Sequence, residues 1–253
     1  MKINPNHKIT FIENPYPVWV IDNLLDGNLV DEIKKDWPDK DSPLWHSGYK
    51  EVNGKKNILE ERMLAISDLE KMPENIGDLV RFFHNEEFLN NIKDITGIQD
   101  IEADKSMRWS GMRTMLPESY QLIHSDARKH PENKLRKELT LLFYFNKKDC
   151  CKERDQGCLE IWDDSMKEAK HELEPLNNRL VIFVNSDTSY HGVPTVKSER
   201  RAITFSYLKN GEATERNKAL FVGRPQDPKE VTKIGKERAF LKDKQKPKGL
   251  VNQ

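Results

Sequence analysis

The chain has 253 residues, of which 36% are hydrophobic and 33% charged, with 42 basic side chains balancing 42 acidic ones. A formal net charge of zero excludes a charge-driven nucleic-acid coat or a polybasic membrane binder, and no apolar run approaches the ~18 residues of a membrane span. Three cysteines, an odd number in a chain too large to need staples, and a start (Met1 to Lys8) without the apolar core of a secretory leader lead us to expect a cytoplasmic protein.

Pro17 to Asp22 reads as a short strand, and Asp26 as the N-cap of a helix carrying Leu29, Val30, Ile33 and Trp37 on one face until Pro38 stops it. Residues 38–60, with Pro43, Gly48 and Asn53-Gly54, read as loop or short hairpin pieces. A helix from about Glu74 presents Ile76, Leu79, Val80 and Phe83. A second presents Phe88, Leu89, Ile92 and Ile95 and closes at Gly97. From residue 106 the apolar period changes from 3.6 to 2, and candidate strands fall at 106–115, 119–124, 139–146, 158–162, 171–174, 179–184, 189–193 and 200–208. Eight short strands with turns between them are the pattern of a sandwich, barrel or jelly roll. Three parts are therefore expected in one overall domain: an N-terminal strand and helices at 1–104 packed on the core, a β core at 105–210, and a basic tail at 211–253.

The chemistry lies in the β stretch. In Tyr120-Gln121-Leu122-Ile123-His124-Ser125-Asp126 a strand puts His124 and Asp126 on one face, whereas a helix would set them ~200° apart. His191 follows the apolar strand 180–184. Two histidines and one carboxylate make the facial set of non-haem Fe(II) oxygenases, although zinc takes the same ligands. Arg200 opens the strand Arg200-Arg201-Ala202-Ile203-Thr204-Phe205-Ser206-Tyr207. There, alternation groups Arg200, Ala202, Thr204 and Ser206 against Ile203, Phe205 and Tyr207. A cation on an inner face is costly without an anion, its fork suits a carboxylate, and this strand offers no acidic partner. On strand 139–146, Tyr144 is either an ordinary core tyrosine or a second donor to that carboxylate. Cys150, Cys151 and Cys158 have no metal-site spacing.

These residues together resemble the Fe(II)/2-oxoglutarate dioxygenases, in their prolyl-hydroxylase-like branch. The resemblance spans roughly residues 106–210 and rests on His124-Ser125-Asp126, His191, Arg200 in Arg-x-Ala-Ile-Thr-Phe, the run 139–147, and Gly157-Cys158-Leu159-Glu160-Ile161-Trp162. It implies a double-stranded β-helix, mainly β with flanking helices. Fe(II) is to be bound by His124, Asp126 and His191, and O₂ and 2-oxoglutarate are the co-substrates, with ascorbate as a further candidate. Arg200 and Tyr144 are implied at the distal carboxylate of 2-oxoglutarate, and Leu159 and Thr204 as pocket lining.

The same resemblance implies hydroxylation of an unactivated C–H, with peptidyl proline as leading substrate and succinate and CO₂ as co-products. A peptide, protein or small molecule is the expected partner, and no nucleic acid or membrane. Two positions depart from the pattern. Met115 stands where many relatives carry a tyrosine, and Ser206 where oxygen-sensing relatives carry a tryptophan, which widens the pocket. The charged loop 127–138 is either a substrate lid or a solvated connection. A hydroxylase of a free amino acid or other small molecule, and a non-catalytic jelly-roll binding protein, are the alternatives.

Overall fold

Two antiparallel sheets form the framework of the described chain. The computed structural model describes residues 1–47, 63–146, 157–211 and 220–224. The strands are β1 (Lys8–Ile12), β2 (Val18–Asp22), β3 (His46–Ser47), β4 (Met63–Ile66), β5 (Ile101–Ala103), β6 (Gly111–Met115), β7 (Gln121–Ser125), β8 (Arg136–Tyr144), β9 (Leu159–Trp162), β10 (Ala169–Leu173), β11 (Arg179–Val184), β12 (His191–Val193), β13 (Arg200–Lys209) and β14 (Leu220–Val222). The larger sheet runs β1-β2-β11-β8-β13-β6-β4-β3, with β5 also paired to β13, and the smaller runs β10-β9-β12-β7-β14. This is the expected jelly roll, mainly β with three flanking helices, α1 (Gly27–Lys35), α2 (Glu74–Phe83) and α3 (Glu86–Thr96).

Alternation sorts the larger sheet into two faces, and the observed split is the expected one. Ile203, Phe205 and Tyr207 of β13 join Leu139, Leu141 and Phe143 of β8 in one apolar core with the helices. Phe83 of α2 stacks on Phe205 at 4.2 Å and Tyr207 Oη donates to the Phe83 carbonyl. The helices therefore cover the back of this sheet, and each large side chain they bury is worth about 1.5–3 kcal/mol. Their ends follow local chemistry. Asp26 accepts from the Asn28 and Leu29 amides, Asn85 caps α3 through the Phe88 amide, and Gly97 closes it at φ +71°.

The opposite face of the larger sheet looks toward the smaller one. Val18, Val20, Tyr144, Val181, Phe183 and Ala202 meet Leu159 and Ile161 of β9 in a second apolar cluster. This inner layer carries the site.

Several stretches differ from the sequence expectation, β4 and β5 among them, which no expected strand covers. β6 starts at Gly111 rather than 106, because Asp104 accepts from the Ser106 amide and hydroxyl and from the Trp109 amide and so winds 104–110 into turns. Gly111 itself has φ +129°, and a Cβ there would lie 2.4 Å from the Ile66 carbonyl oxygen. β1 was not expected, since its side chains are mostly exposed, Ile9 and Phe11 among them; its pairing with β2 is what defines it. Within the expected tail, β14 pairs with β7, and Arg224 is buried in an ion pair with Glu160 at 2.6 Å. The turn signals Gly48 and Asn53-Gly54, Cys150 and Cys151, and the tail at 212–219 and 225–253 lie outside the described residues. Among the described residues no helix is long and apolar enough to cross a membrane.

Candidate metal and co-substrate site

β7 and β12 are hydrogen-bonded neighbours in the smaller sheet, and their register sets His191 directly opposite His124. Side chains paired across antiparallel strands share a face, so the two rings meet with centroids 4.2 Å apart. Asp126 follows one residue after β7 and turns inward to the same place. One ligand atom from each of His124, Asp126 and His191 lies within 4.8 Å of the others. Both histidines are oriented by their own strands. His124 Nδ1 sits 2.9 Å from the Leu122 carbonyl oxygen and His191 Nδ1 3.0 Å from that of Ser189. A carbonyl only accepts, so Nδ1 carries the proton and Nε2 keeps a lone pair for a cation. The Phe183 ring packs at 4.7 Å on His191 and limits water there.

Asp126 is half-buried and its two oxygens are used differently. Oδ1 lies 3.5 Å from His124 Nε2, while Oδ2 accepts from Lys137 Nζ at 2.6 Å and from Thr140 Oγ1 at 3.3 Å. Thr140 is held in turn by Asn185. Burial opposes ionisation of Asp126, yet the Lys137 ammonium and the two imidazoles hold its carboxyl well below the usual carboxylate range. Burial, reinforced by His124, pushes His191 down to about 3. The three side chains thus present two imidazole nitrogens and one carboxylate oxygen to the same place. Such a donor set fits Fe(II) with positions left for other ligands.

An unfolded histidine takes a proton near pH ~6.5. Folded His191 refuses it down to about 3. Between those values the unfolded chain binds the extra proton, so stability falls as pH falls, by about 1.4 kcal/mol per pH unit for this group. Urea midpoints of the metal-free protein should decline steadily below pH ~6.5, and a flat profile from about pH 7 to about pH 5 would contradict the buried, neutral imidazole.

Arg200 lies in the same inner layer. It is 7% exposed. Its Nε donates to the Gly157 carbonyl at 2.8 Å, its Nη2 to Tyr144 Oη at 3.0 Å, and its guanidinium carbon sits 4.9 Å from the Tyr144 ring centre. Met115, at the departing position, offers only its sulfur, 3.7 Å from Nη1. Among the described residues no carboxylate pairs with Arg200. Tyr144 is fully buried beside Leu159 and Ala202, and Thr204 is half-buried on the same strand face. Ser206 is also buried there, with its hydroxyl unpartnered among the described residues.

Sequence reasoning missed Lys137, Thr140 and Asn185 around Asp126. The sequence alone reads the loop 127–138 as either lid or connection. His130 in that loop is fully buried, lies 3.3 Å from Ser106 Oγ and 3.6 Å from Asp104, and accepts from the Glu132 and Asn133 amides, so the loop is pinned to the protein. Cys158 is buried, and burial with the nearby Glu172 pushes its thiol up to about 12, so it is inert as a nucleophile.

Residues 111–208 match the profile of the 2OG-Fe(II) oxygenase superfamily. No curated protein matches the chain. Among solved structures, a Trichoplax adhaerens prolyl hydroxylase in complex with a hypoxia inducible factor peptide fragment superposes with a TM-score of 0.54 at 18% identity, over 76% of this chain and 83% of its own. A Pseudomonas putida prolyl-4-hydroxylase gives 0.51 at 16%, over 77% and 93%. HygX from Streptomyces hygroscopicus, with nickel and 2-oxoglutarate bound, gives 0.50 at 11%, over 82% and 92%. At these identities the structures establish the shared fold. The profile match spans the strands that carry His124, His191 and Arg200, and Asp126 just after β7, and over those residues the chain is similar to the 2OG-Fe(II) oxygenases.

Proposed function

We propose that the protein hydroxylates an unactivated C–H bond, with peptidyl proline as its substrate, and that His124, Asp126 and His191 hold the iron while Arg200 and Tyr144 hold the distal carboxylate of 2-oxoglutarate. The observation that carries this reading is the pairing of two features in one inner layer. Three ligand atoms converge within 4.8 Å, and a buried guanidinium, held by Tyr144 of the same inner layer, lacks a carboxylate partner among the described residues. Burying an arginine without an anion is unfavourable. A dianionic co-substrate that reaches from the metal position to Arg200 resolves that cost.

When bound, iron with 2-oxoglutarate and O₂ supplies the oxidant, and succinate and CO₂ leave. The chain's own residues do the rest. The Leu122 and Ser189 carbonyls keep the imidazoles in the ligating tautomer. Phe183, Leu159 and Ile161 keep the inner layer dry, which strengthens every charge interaction there. Tyr144 Oη accepts from Arg200, which sets the hydroxyl beside the guanidinium where a carboxylate would bind.

The leading place of proline rests on the resemblance to prolyl hydroxylases, and the prolyl hydroxylase folds above are consistent with it. Mass spectrometry of proline-containing peptides after turnover tests it. A product heavier by one oxygen atom on proline supports the reading. Strong succinate production with free amino acids, and none with any proline peptide, would move the enzyme to small-molecule substrates.

Tyr144→Phe keeps the ring and removes one hydroxyl. It should weaken 2-oxoglutarate binding by about 1–3 kcal/mol, read as an increase in the co-substrate requirement at unchanged iron affinity.

A further inference from the structure

Lys137 occupies a place that strand alternation alone would not give it. Two residues before Leu139, it would fall on the helix-covered face with Leu139, Leu141 and Phe143. The register with β13 shifts at that point: Tyr207 pairs with Leu139, but Leu208 pairs with Lys137, leaving Glu138 as an extra residue on β8. A bulge of this kind re-aims the side chain beside it. Lys137 is thereby turned to the face of Thr140 and Asp126, where it is 4% exposed. Its amide donates to the Arg128 carbonyl at 2.6 Å and its ammonium lies 5.6 Å from the Trp109 ring centre. The same ammonium donates to Asp126 Oδ2 at 2.6 Å.

We propose that Lys137 is a positioning residue that makes Asp126 a one-oxygen ligand and so keeps the site open and electrostatically receptive for 2-oxoglutarate. The proposal rests on the reading of His124, Asp126 and His191 as the metal ligands. Oδ2 is committed to Lys137 and Thr140, while Oδ1 faces His124 Nε2. With a metal held by two imidazoles and one carboxylate oxygen, positions would remain open for a chelating keto acid and O₂. A carboxylate free to chelate through both oxygens would take one of them. The charge acts in the same direction. A buried ammonium favours a doubly negative co-substrate and disfavours a divalent cation beside it. Lys137 therefore serves co-substrate binding and not metal binding as such, which separates it from a merely structural ion pair.

The test uses the full chain as wild type, Lys137→Met and Lys137→Arg. Mn(II) is titrated first, then 2-oxoglutarate is titrated into the Mn(II)-loaded protein, and thermal melting is recorded for each. In Lys137→Met, Mn(II) should bind as tightly as in wild type or more tightly, while 2-oxoglutarate binds about tenfold or more weakly. Lys137→Arg, which restores the cation, should recover most of that loss. Unchanged 2-oxoglutarate affinity in Lys137→Met would overturn the proposal. So would a parallel loss of both affinities with a lowered melting point and no recovery in Lys137→Arg, the signature of a structural ion pair. If the wild type itself takes up no Mn(II), the reading of the three ligands fails first, and the proposal with it.

Discussion

Arg200→Ala should raise the 2-oxoglutarate requirement by a factor of about thirty to several thousand while leaving metal affinity nearly untouched. Removing one side of a desolvated, charge-assisted pair costs about 2–5 kcal/mol, and each 1.4 kcal/mol is about tenfold. The geometry concentrates the effect on the co-substrate. Arg200 contacts Gly157, Met115 and Tyr144, none of which is a metal ligand. Arg200→Lys should recover little, because a point charge cannot hold the Gly157 carbonyl, the Tyr144 hydroxyl and a carboxylate together as the fork does. Steady-state succinate formation against 2-oxoglutarate concentration, alongside Mn(II) titration, separates the two affinities. An unchanged requirement in Arg200→Ala would remove Arg200 from the site.

The second large effect belongs to His191. His191→Ala should abolish turnover and reduce Mn(II) affinity by at least the 10–100-fold typical of losing even an outer partner of a metal site. The cause is local, since His191 is one of the three convergent side chains proposed to hold the metal, and the remaining His124 and Asp126 both come from the segment 124–126. The fold should survive the change. Nδ1 bonds a carbonyl of its own loop, the ring only packs on Phe183 and His124, and β12 is held by backbone pairing with β7 and β9. Full activity in a folded His191→Ala protein would show that the metal, if bound, sits elsewhere.

The candidate triad and Arg200 are legible in the sequence because a strand imposes a period of two. His124 and Asp126 are two apart, His191 opens a short strand after a run of apolar residues, and Arg200, Ala202, Thr204 and Ser206 alternate with Ile203, Phe205 and Tyr207. Each follows from local geometry that needs no partner to be known. The polar shell around Asp126 was not legible for the converse reason. Lys137 reaches it only through a bulge defined by the pairing of β8 with β13, a contact far apart in sequence. Asn185 reaches it through Thr140, 45 residues away.

The same holds for the Arg224–Glu160 pair, which no local pattern announces. Arg224 reads as one basic residue of a charged tail. In the fold it closes over Gly192, where a Cβ would lie 2.7 Å from its Nη2, and donates to the Gln121 carbonyl. Local periodicity thus reveals which faces are buried, whereas the partners of buried charges depend on register between distant strands.

The account turns on whether one metal and one 2-oxoglutarate occupy the inner layer together. A crystal structure of the protein with Mn(II) and 2-oxoglutarate, with the metal located by anomalous scattering, tests that directly. The account predicts one Mn(II) at about 2 Å from His124 Nε2, Asp126 Oδ1 and His191 Nε2, with the distal carboxylate of 2-oxoglutarate on Arg200 and Tyr144. A metal bound away from these three residues, or a co-substrate carboxylate paired with a different cation, would contradict it.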